Sequence, residues 1–340
     1  MSLEPAPEVF GRLYDAGAAQ LVWTRLIDDL ETPVSAYLKL AAGQPYAFLF
    51  ESVEGGAYRG RYSIIAMKPD LVWRCRGDKS EIAHGTADIA AGAFTPQSGG
   101  ALDNLRDLVA QCRMPMPAGV PPMAAGLYGA LGYDMVRLAE RLPNINPDPL
   151  DLPDAVMMRP SVVAVFDSIA HEIILATSVR AEAGVSAAQA YDKARARLDE
   201  TIADLRRPLP AHPIHAAIPP PKFQSPVDRP AYHRFVERAK AYIAAGDVFQ
   251  VVPSHRFRAR FPLDPLALYR SLRRTNPSPF LFYLNFGSFQ LAGSSPEILV
   301  RLRDGKITIR PIAGTKPRGK TPEEDLQNEK DLLADPKERA

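Results

Sequence analysis

Apolar residues recur along the chain with two periods. Apolar runs and period-two alternation, which put successive side chains on opposite faces of a strand, predict strands over residues 46–52 and 61–67. A third stretch, 70–84, folds about a Gly77-Asp78 turn, and the three read as an antiparallel meander. Residues 161–167 and 171–178 are β-rich runs separated only by Ser168-Ile169-Ala170, the pattern of a hairpin. Helical spacing puts Leu102, Leu105, Leu108, Val109 and Cys112 on one face of a helix over 101–112. It does the same for Tyr191, Ala194, Leu198, Ile202 and Leu205 over 185–207. Consecutive hairpins flanked by helices favour an α+β fold with antiparallel sheets over a doubly wound parallel one.

Proline then divides the chain. Eight of the 33 prolines fall within 208–230, a stretch with no apolar period. Proline fixes φ and removes a backbone donor, so this reads as a partly extended linker. The chain is thereby expected to comprise an α+β unit over 1–207, a linker over 208–229 and a second unit over 230–340. In the second unit Pro230 fits a first helical position. Tyr232, Phe235, Val236, Ala239, Tyr242 and Ile243 keep helical spacing up to Gly246. A strand over 247–252, a helix over 264–276 and strands over 280–286, 289–302 and 306–312 are predicted to follow, with turns at Gly287-Ser288 and Asp304-Gly305.

Charge narrows the function classes. Forty-one Lys and Arg against 39 Asp and Glu leave a formal net charge of +2, without the basic excess that nucleic-acid or acidic-membrane binding uses. No apolar run approaches the ~20 residues of a membrane span. The first twenty residues carry Glu4, Glu8 and Asp15 and lack a signal-peptide pattern. Cys75 and Cys112 cannot form a disulfide framework. A cytoplasmic protein with free thiols is expected. The six histidines show no metal-ligand spacing and none is assigned a catalytic role.

One short pattern is ambiguous. Gly314, four residues, then Gly319-Lys320-Thr321 satisfies the phosphate-binding P-loop expression. That loop must offer successive backbone N–H groups to phosphate, however, and Pro317 has none. In a longer frame, Ile309-Arg310-Pro311-Ile312-Ala313-Gly314-Thr315-Lys316-Pro317-Arg318-Gly319 resembles a segment of the chorismate-utilising enzymes, in particular the anthranilate synthase large subunits (component I). Further matching segments occur in the same order. They are Glu51-Ser52, Arg61-Tyr62-Ser63-Ile64-Ile65, Gly132-Tyr133-Asp134, the 246–254 stretch, Asn276-Pro277-Ser278-Pro279-Phe280, Gly293-Ser294-Ser295-Pro296-Glu297 and the stretch 333–338.

The resemblance implies an α+β sandwich of large antiparallel sheets with helices outside. It also implies Mg²⁺-dependent conversion of chorismate and ammonia to anthranilate and pyruvate in tryptophan biosynthesis. A glutamine amidotransferase subunit would supply the ammonia within a heterotetramer, and L-tryptophan would inhibit. Two positions separate members by chemistry. Relatives that make aminodeoxychorismate tend to carry a nucleophilic lysine where Ala313 stands, and a methyl group forms no such bond. Isochorismate and salicylate synthases carry a lysine base where Gln250 stands, and an amide has no useful pKa for activating water.

By the same resemblance Gly314 and Thr315 bind a chorismate carboxylate through backbone N–H groups and a hydroxyl. Glu338 contributes to the Mg²⁺ and chorismate site, although it would also suit N3 of a helix capped by Asp335. Ser52, Arg61, Asn276, Pro277, Pro279, Phe280 and Leu281 form the implied tryptophan site. The family pattern continues past residue 340 with further Mg²⁺ carboxylates. The chain is therefore expected to be incomplete at its C-terminus and to lack turnover by itself, and a non-catalytic tryptophan-sensing, subunit-binding fragment is the alternative reading.

Overall fold

A computed structural model describes residues 2–54, 58–143, 146–210, 219–310 and 314–336. Helix α1 (Pro7–Asp15) starts on a proline and leads into strand β1 (Gln20–Ile27). Helix α2 (Pro33–Leu40) is capped reciprocally by Thr32 and Ser35. It precedes β2 (Ala47–Glu51), the short β3 (Val53–Glu54) and β4 (Tyr58–Arg59), and the long β5 (Tyr62–Arg76). Then come β6 (Lys79–His84), α3 (Gly85–Ala91), β7 (Thr95–Pro96), α4 (Ala101–Cys112) and β8 (Tyr128–Leu131). The hairpin of β9 (Ala155–Asp167) and β10 (Glu172–Val179) leads to α5 (Ala187–Leu205).

Past the proline-rich stretch lie α6 (Arg229–Ala245), α7 (Pro265–Thr275), β11 (Phe280–Asn285) and β12 (Gln290–Ser295). The described chain closes with β13 (Arg301–Arg303), β14 (Lys306–Thr308) and α8 (Pro322–Ala334).

Ten of these strands form one antiparallel sheet, β1-β10-β9-β5-β2-β11-β12 along its path, with β6 and β7 continuing from β5 and β8 added to β9. The fold is therefore α+β with a large antiparallel sheet, as expected. The sheet crosses the linker, because β11 pairs with β2 and carries β12 with it. Sequence composition separates 230–340 from 1–207, but the backbone hydrogen bonds join part of the later unit to the earlier one.

Strand β9 explains why the core forms here. Val162, Ala164 and Phe166 face one side, where Phe10 and Tyr14 of α1, Tyr37 of α2, Leu198 of α5 and Tyr269 of α7 cover them. Val163 and Val165 face the other side and pack with Leu21, Val120 and Ile174. A central strand buried on both faces needs a continuous apolar run rather than alternation.

The two runs expected over 61–67 and 70–84 are one strand plus a hairpin. Lys68 adopts a positive φ of 53° and Pro69 offers no donor, so the pairing of β5 with β9 shifts register between Pro69 and Leu71 and then resumes.

Two expectations are corrected. Residues 247–252 form no strand: Phe249 is fully exposed and Val252 is 78% exposed, with no neighbouring strand among the described residues to take their backbone hydrogen bonds. The run 289–302 is broken after Ser295, where Pro296 removes a ladder donor. Asp335 is the C-cap of α8 and Pro336 directly after it is again helical, which agrees with the expected helix start, while residues 337–340, Glu338 among them, lie outside the described residues.

Candidate functional site

Three adjacent strands converge at one end of the sheet. Strand β2 lies between β5, with Phe50 opposite Ile64, and β11, with Glu51 opposite Leu281. Continuing those registers by one step places Ser52 between the starts of β5 and β11, beside Phe280. Sequence positions separated by more than two hundred residues thereby meet at Ser52.

Glycine permits the close packing on the β5 side. The Gly60 N–H donates to the Ser52 carbonyl (2.9 Å), and a Cβ on Gly60 would overlap the Ser52 hydroxyl. Next to it, Arg61 lays its guanidinium 4.9 Å from the Tyr62 ring centroid and donates from Nε and Nη2 to Asp167 Oδ2 at 3.0 and 2.8 Å. The other oxygen of Asp167 accepts from the Ile169 and Ala170 N–H groups, closing the β9–β10 turn.

Burial alone would raise the pKa of Asp167, but the Arg61 hydrogen bonds and the two amides outweigh it and hold the carboxyl below its ordinary value. A depressed folded pKa contributes stability that is complete above the unfolded value and disappears as pH falls through the folded one. The stability difference between the wild-type chain and Asp167→Asn is therefore constant from neutral pH down to the ordinary aspartate range and closes only below it. Urea unfolding at a series of pH values checks this, and a gap that closes above that range contradicts it.

On the β11 side, Asn276 caps α7 and its carbonyl lies 2.6 Å from Ser294 Oγ on β12, which is also 2.9 Å from Ser278 Oγ. These contacts fix the loop carrying Pro277 and Pro279. Phe280 is 40% exposed and available to a ligand, whereas Leu281 is buried in the core.

Beneath this end sits a charged cluster that the sequence reading missed in part. Glu51 is 5% exposed. It accepts from Tyr269 Oη at 2.5 Å and from Arg273 Nη2 at 2.9 Å. Arg273 Nε is 2.8 Å from the second carboxylate oxygen but is not aligned to donate to it, so that contact is electrostatic only. Burial, then the neighbouring Glu51, pushes the Tyr269 pKa far up, so the hydroxyl stays a donor. Tyr269 and Arg273 are four residues apart and share one face of α7. That spacing, just ahead of the Asn276 segment, was the signal available in the sequence.

Three of the five residues expected at the chorismate site are among the described residues. Gln250 and Thr315 are exposed and Gly314 is half-buried. Ala313 and Glu338 lie outside the described residues. Among the described residues no group of three or more His, Cys, Asp or Glu side chains is arranged to hold a metal ion. No Mg²⁺ site is thus assembled from the described residues alone.

The P-loop reading fails on geometry. The Gly319 N–H donates to Asp325 Oδ1 and the Lys320 N–H to Glu324 Oε2, both at 2.8 Å, while Thr321 caps α8. The amides a phosphate would need are taken by carboxylates that would repel it. Among the described residues no helix is long and apolar enough to cross a membrane.

Comparison with known proteins identifies the family. A model of the chorismate binding enzyme family matches residues 68–340. The chain is 53% identical over 334 residues to anthranilate synthase component 1 of Cereibacter sphaeroides, covering 98% of this chain and 67% of that protein. It is 40% identical over 321 residues to the Pseudomonas putida protein of the same name, covering 92% of this chain and 63% of that one. A crystal structure of anthranilate synthase component I from Streptococcus pneumoniae superposes with a TM-score of 0.66 at 27% identity, over 92% of this chain and 64% of that one. The chain spans about two-thirds of the length of these relatives. With its family match, its identity to these relatives and its large antiparallel sheet, the chain belongs to the chorismate-binding enzyme family, among the anthranilate synthase component I proteins.

Proposed function

We propose that the chain belongs to an anthranilate synthase large subunit, which converts chorismate and ammonia to anthranilate and pyruvate and is inhibited by L-tryptophan. The observation that carries the reading is the 53% identity over 334 residues to a protein of that name. The chemistry of two positions supports it. Gln250 has no basicity with which to activate water, so ammonia, already nucleophilic, is the better attacking group. Ala313 cannot become a covalent link to the ring, which disfavours the aminodeoxychorismate branch.

In the proposed reaction ammonia attacks the chorismate ring and the 4-hydroxyl leaves as water. The amino intermediate then loses its enolpyruvyl group as pyruvate and aromatises to anthranilate. The backbone N–H groups at Gly314 and Thr315 would receive a substrate carboxylate. Mg²⁺, with Glu338 nearby, and an amidotransferase subunit that delivers ammonia from glutamine belong to the proposal through the family alone. A cytoplasmic location is part of the same reading.

The tryptophan site is proposed at the three-strand end. Ser52, Arg61, Asn276, Pro277, Pro279 and Phe280 lie on segments that the sheet brings together there, with Leu281 supporting Phe280 from the core. A ligand gripping β2 on one side of the linker and the 276–280 segment on the other favours one arrangement of the two, and that is how it would alter a distant reaction.

Calorimetry of the chain with L-tryptophan is expected to give saturable binding that Ser52→Phe abolishes, because the larger side chain fills the space beside Phe280. Unchanged binding in that variant overturns the site. A parallel fluorescence assay with chorismate, ammonium salt and Mg²⁺ separates the readings. Anthranilate release supports the synthase, and tryptophan binding without turnover selects a sensing module.

A further inference from the structure

A second cavity, of about 660 Å³, lies away from the three-strand end, between α3 and α5 over the register shift of β5. Its ionisable lining is unbalanced. Lys68, Arg159, Arg180, Lys193 and Arg197 are cationic, and only Asp70 and Glu182 are anionic. Internal pairing leaves much of this charge unspent. Arg159 donates to Asp70 at 2.6 Å, Lys68 pairs with Glu200 at 3.0 Å, and Lys193 reaches Glu182 only loosely at 3.9 Å on the exposed rim. Among the described residues no carboxylate is in ion-pair contact with Arg180 or Arg197.

Arg180 carries the argument. Its Nη2 donates to the Cys112 carbonyl at 3.2 Å, while its Nε is buried without any acceptor. A guanidinium N–H held away from water without a partner is costly. Arg159 comes to the same place, with Nη1 4.0 Å from Cys112 Sγ. Two guanidinium groups thus converge on the end of α4, and burial together with the positive charge of Arg159 lowers the pKa of Arg180. Asp70 offsets the charge of Arg159, and among the described residues no carboxylate is paired with Arg180. The remaining walls, including Tyr46, Pro69, Ile89 and Val185, are largely apolar.

From this juxtaposition of a cavity, converging arginines and an unpartnered buried donor, we propose that the pocket is a binding site for a small phosphate monoester. The phosphate would lie against Arg180 and Arg159 and the organic body against the apolar wall. A compact dianion matches two guanidinium groups at one point better than carboxylates spread along a chain, and planar guanidinium forks bind phosphate oxygens in pairs. None of the described residues proposed for tryptophan or chorismate lines the cavity, and its occupancy can be measured without reference to turnover.

Calorimetry with phenyl phosphate and inorganic phosphate, and succinate as a dicarboxylate control, tests the assignment. Saturable binding of phenyl phosphate, tighter than inorganic phosphate, is expected. Arg180→Met and, independently, Arg197→Gln should each weaken it by about tenfold or more, with circular dichroism and unfolding midpoints confirming that both variants fold. Absence of saturable phosphate binding to the wild-type chain overturns the proposal, as does binding unchanged in both variants. Succinate binding as tightly as phenyl phosphate overturns the phosphate assignment.

Discussion

Replacing Arg273 with methionine is expected to lower the stability of the chain by roughly 3 kcal/mol, the cost of leaving a buried carboxylate without its ionic partner. Glu51 is 5% exposed at the end of β2 and cannot reach water. Tyr269 alone can donate to it once the guanidinium is gone. The reverse substitution is milder. Glu51→Gln removes the charge that needs compensation, and Arg273, whose side chain is 30% exposed, can turn its guanidinium toward solvent. Urea unfolding of both variants checks the asymmetry, and equal losses would show that the pair acts as an ordinary hydrogen bond. The cluster ties α7 to β2 directly beneath Ser52, so Arg273→Met should also weaken tryptophan binding at the proposed site, although Arg273 has not been placed against the ligand.

Trp73→Ala is expected to cost more, roughly 4 kcal/mol, as lost transfer energy and an unfilled cavity add together. Trp73 is completely buried in β5, in a cluster with Leu71, Cys75, Ile82, Leu108, Cys112 and Met135 that holds α4 against β5 and β6. Its indole N–H has no hydrogen-bond partner among the described residues. Trp73→Phe therefore keeps most of the packing and removes an unsatisfied donor, and it should lose far less than the alanine variant. Unfolding followed by circular dichroism is the appropriate measurement, since Trp73 is one of only two tryptophans and its removal changes the fluorescence. Similar losses in the two variants would show that the indole itself, and not the filled volume, matters here.

The helices over 101–112 and 185–207, the hairpin over 161–178 and the helix stopped by Gly246 were legible because each rests on local rules of periodicity, capping and turn chemistry. The strand expected over 247–252 was apolar and of suitable composition, yet β structure requires a neighbour, and none among the described residues supplies one. Strand β1 escaped the reading for the complementary reason. Its partner, β10, lies far along the chain, with Gln20 opposite Val179, and no local signal announces that pairing. The P-loop match shows the same limit at a single motif. The expression was satisfied, but the first turn of α8 folds back onto the amides that the motif would offer to phosphate.

The sequence by itself determined the α+β class, the ends of most helices and the family resemblance, all of which depend on neighbours within a few residues or on ordered motifs. Tertiary structure decided that one sheet takes strands from both sides of the linker. It also decided that Ser52 and Phe280 share one end of that sheet, that Glu51 accepts from Tyr269 and pairs with Arg273, and that Arg159 and Arg180 converge with Asp70 bound to Arg159 alone. Those are contacts between residues tens to hundreds of positions apart. Their energies come from burial and desolvation, which exist only once the chain has closed around them.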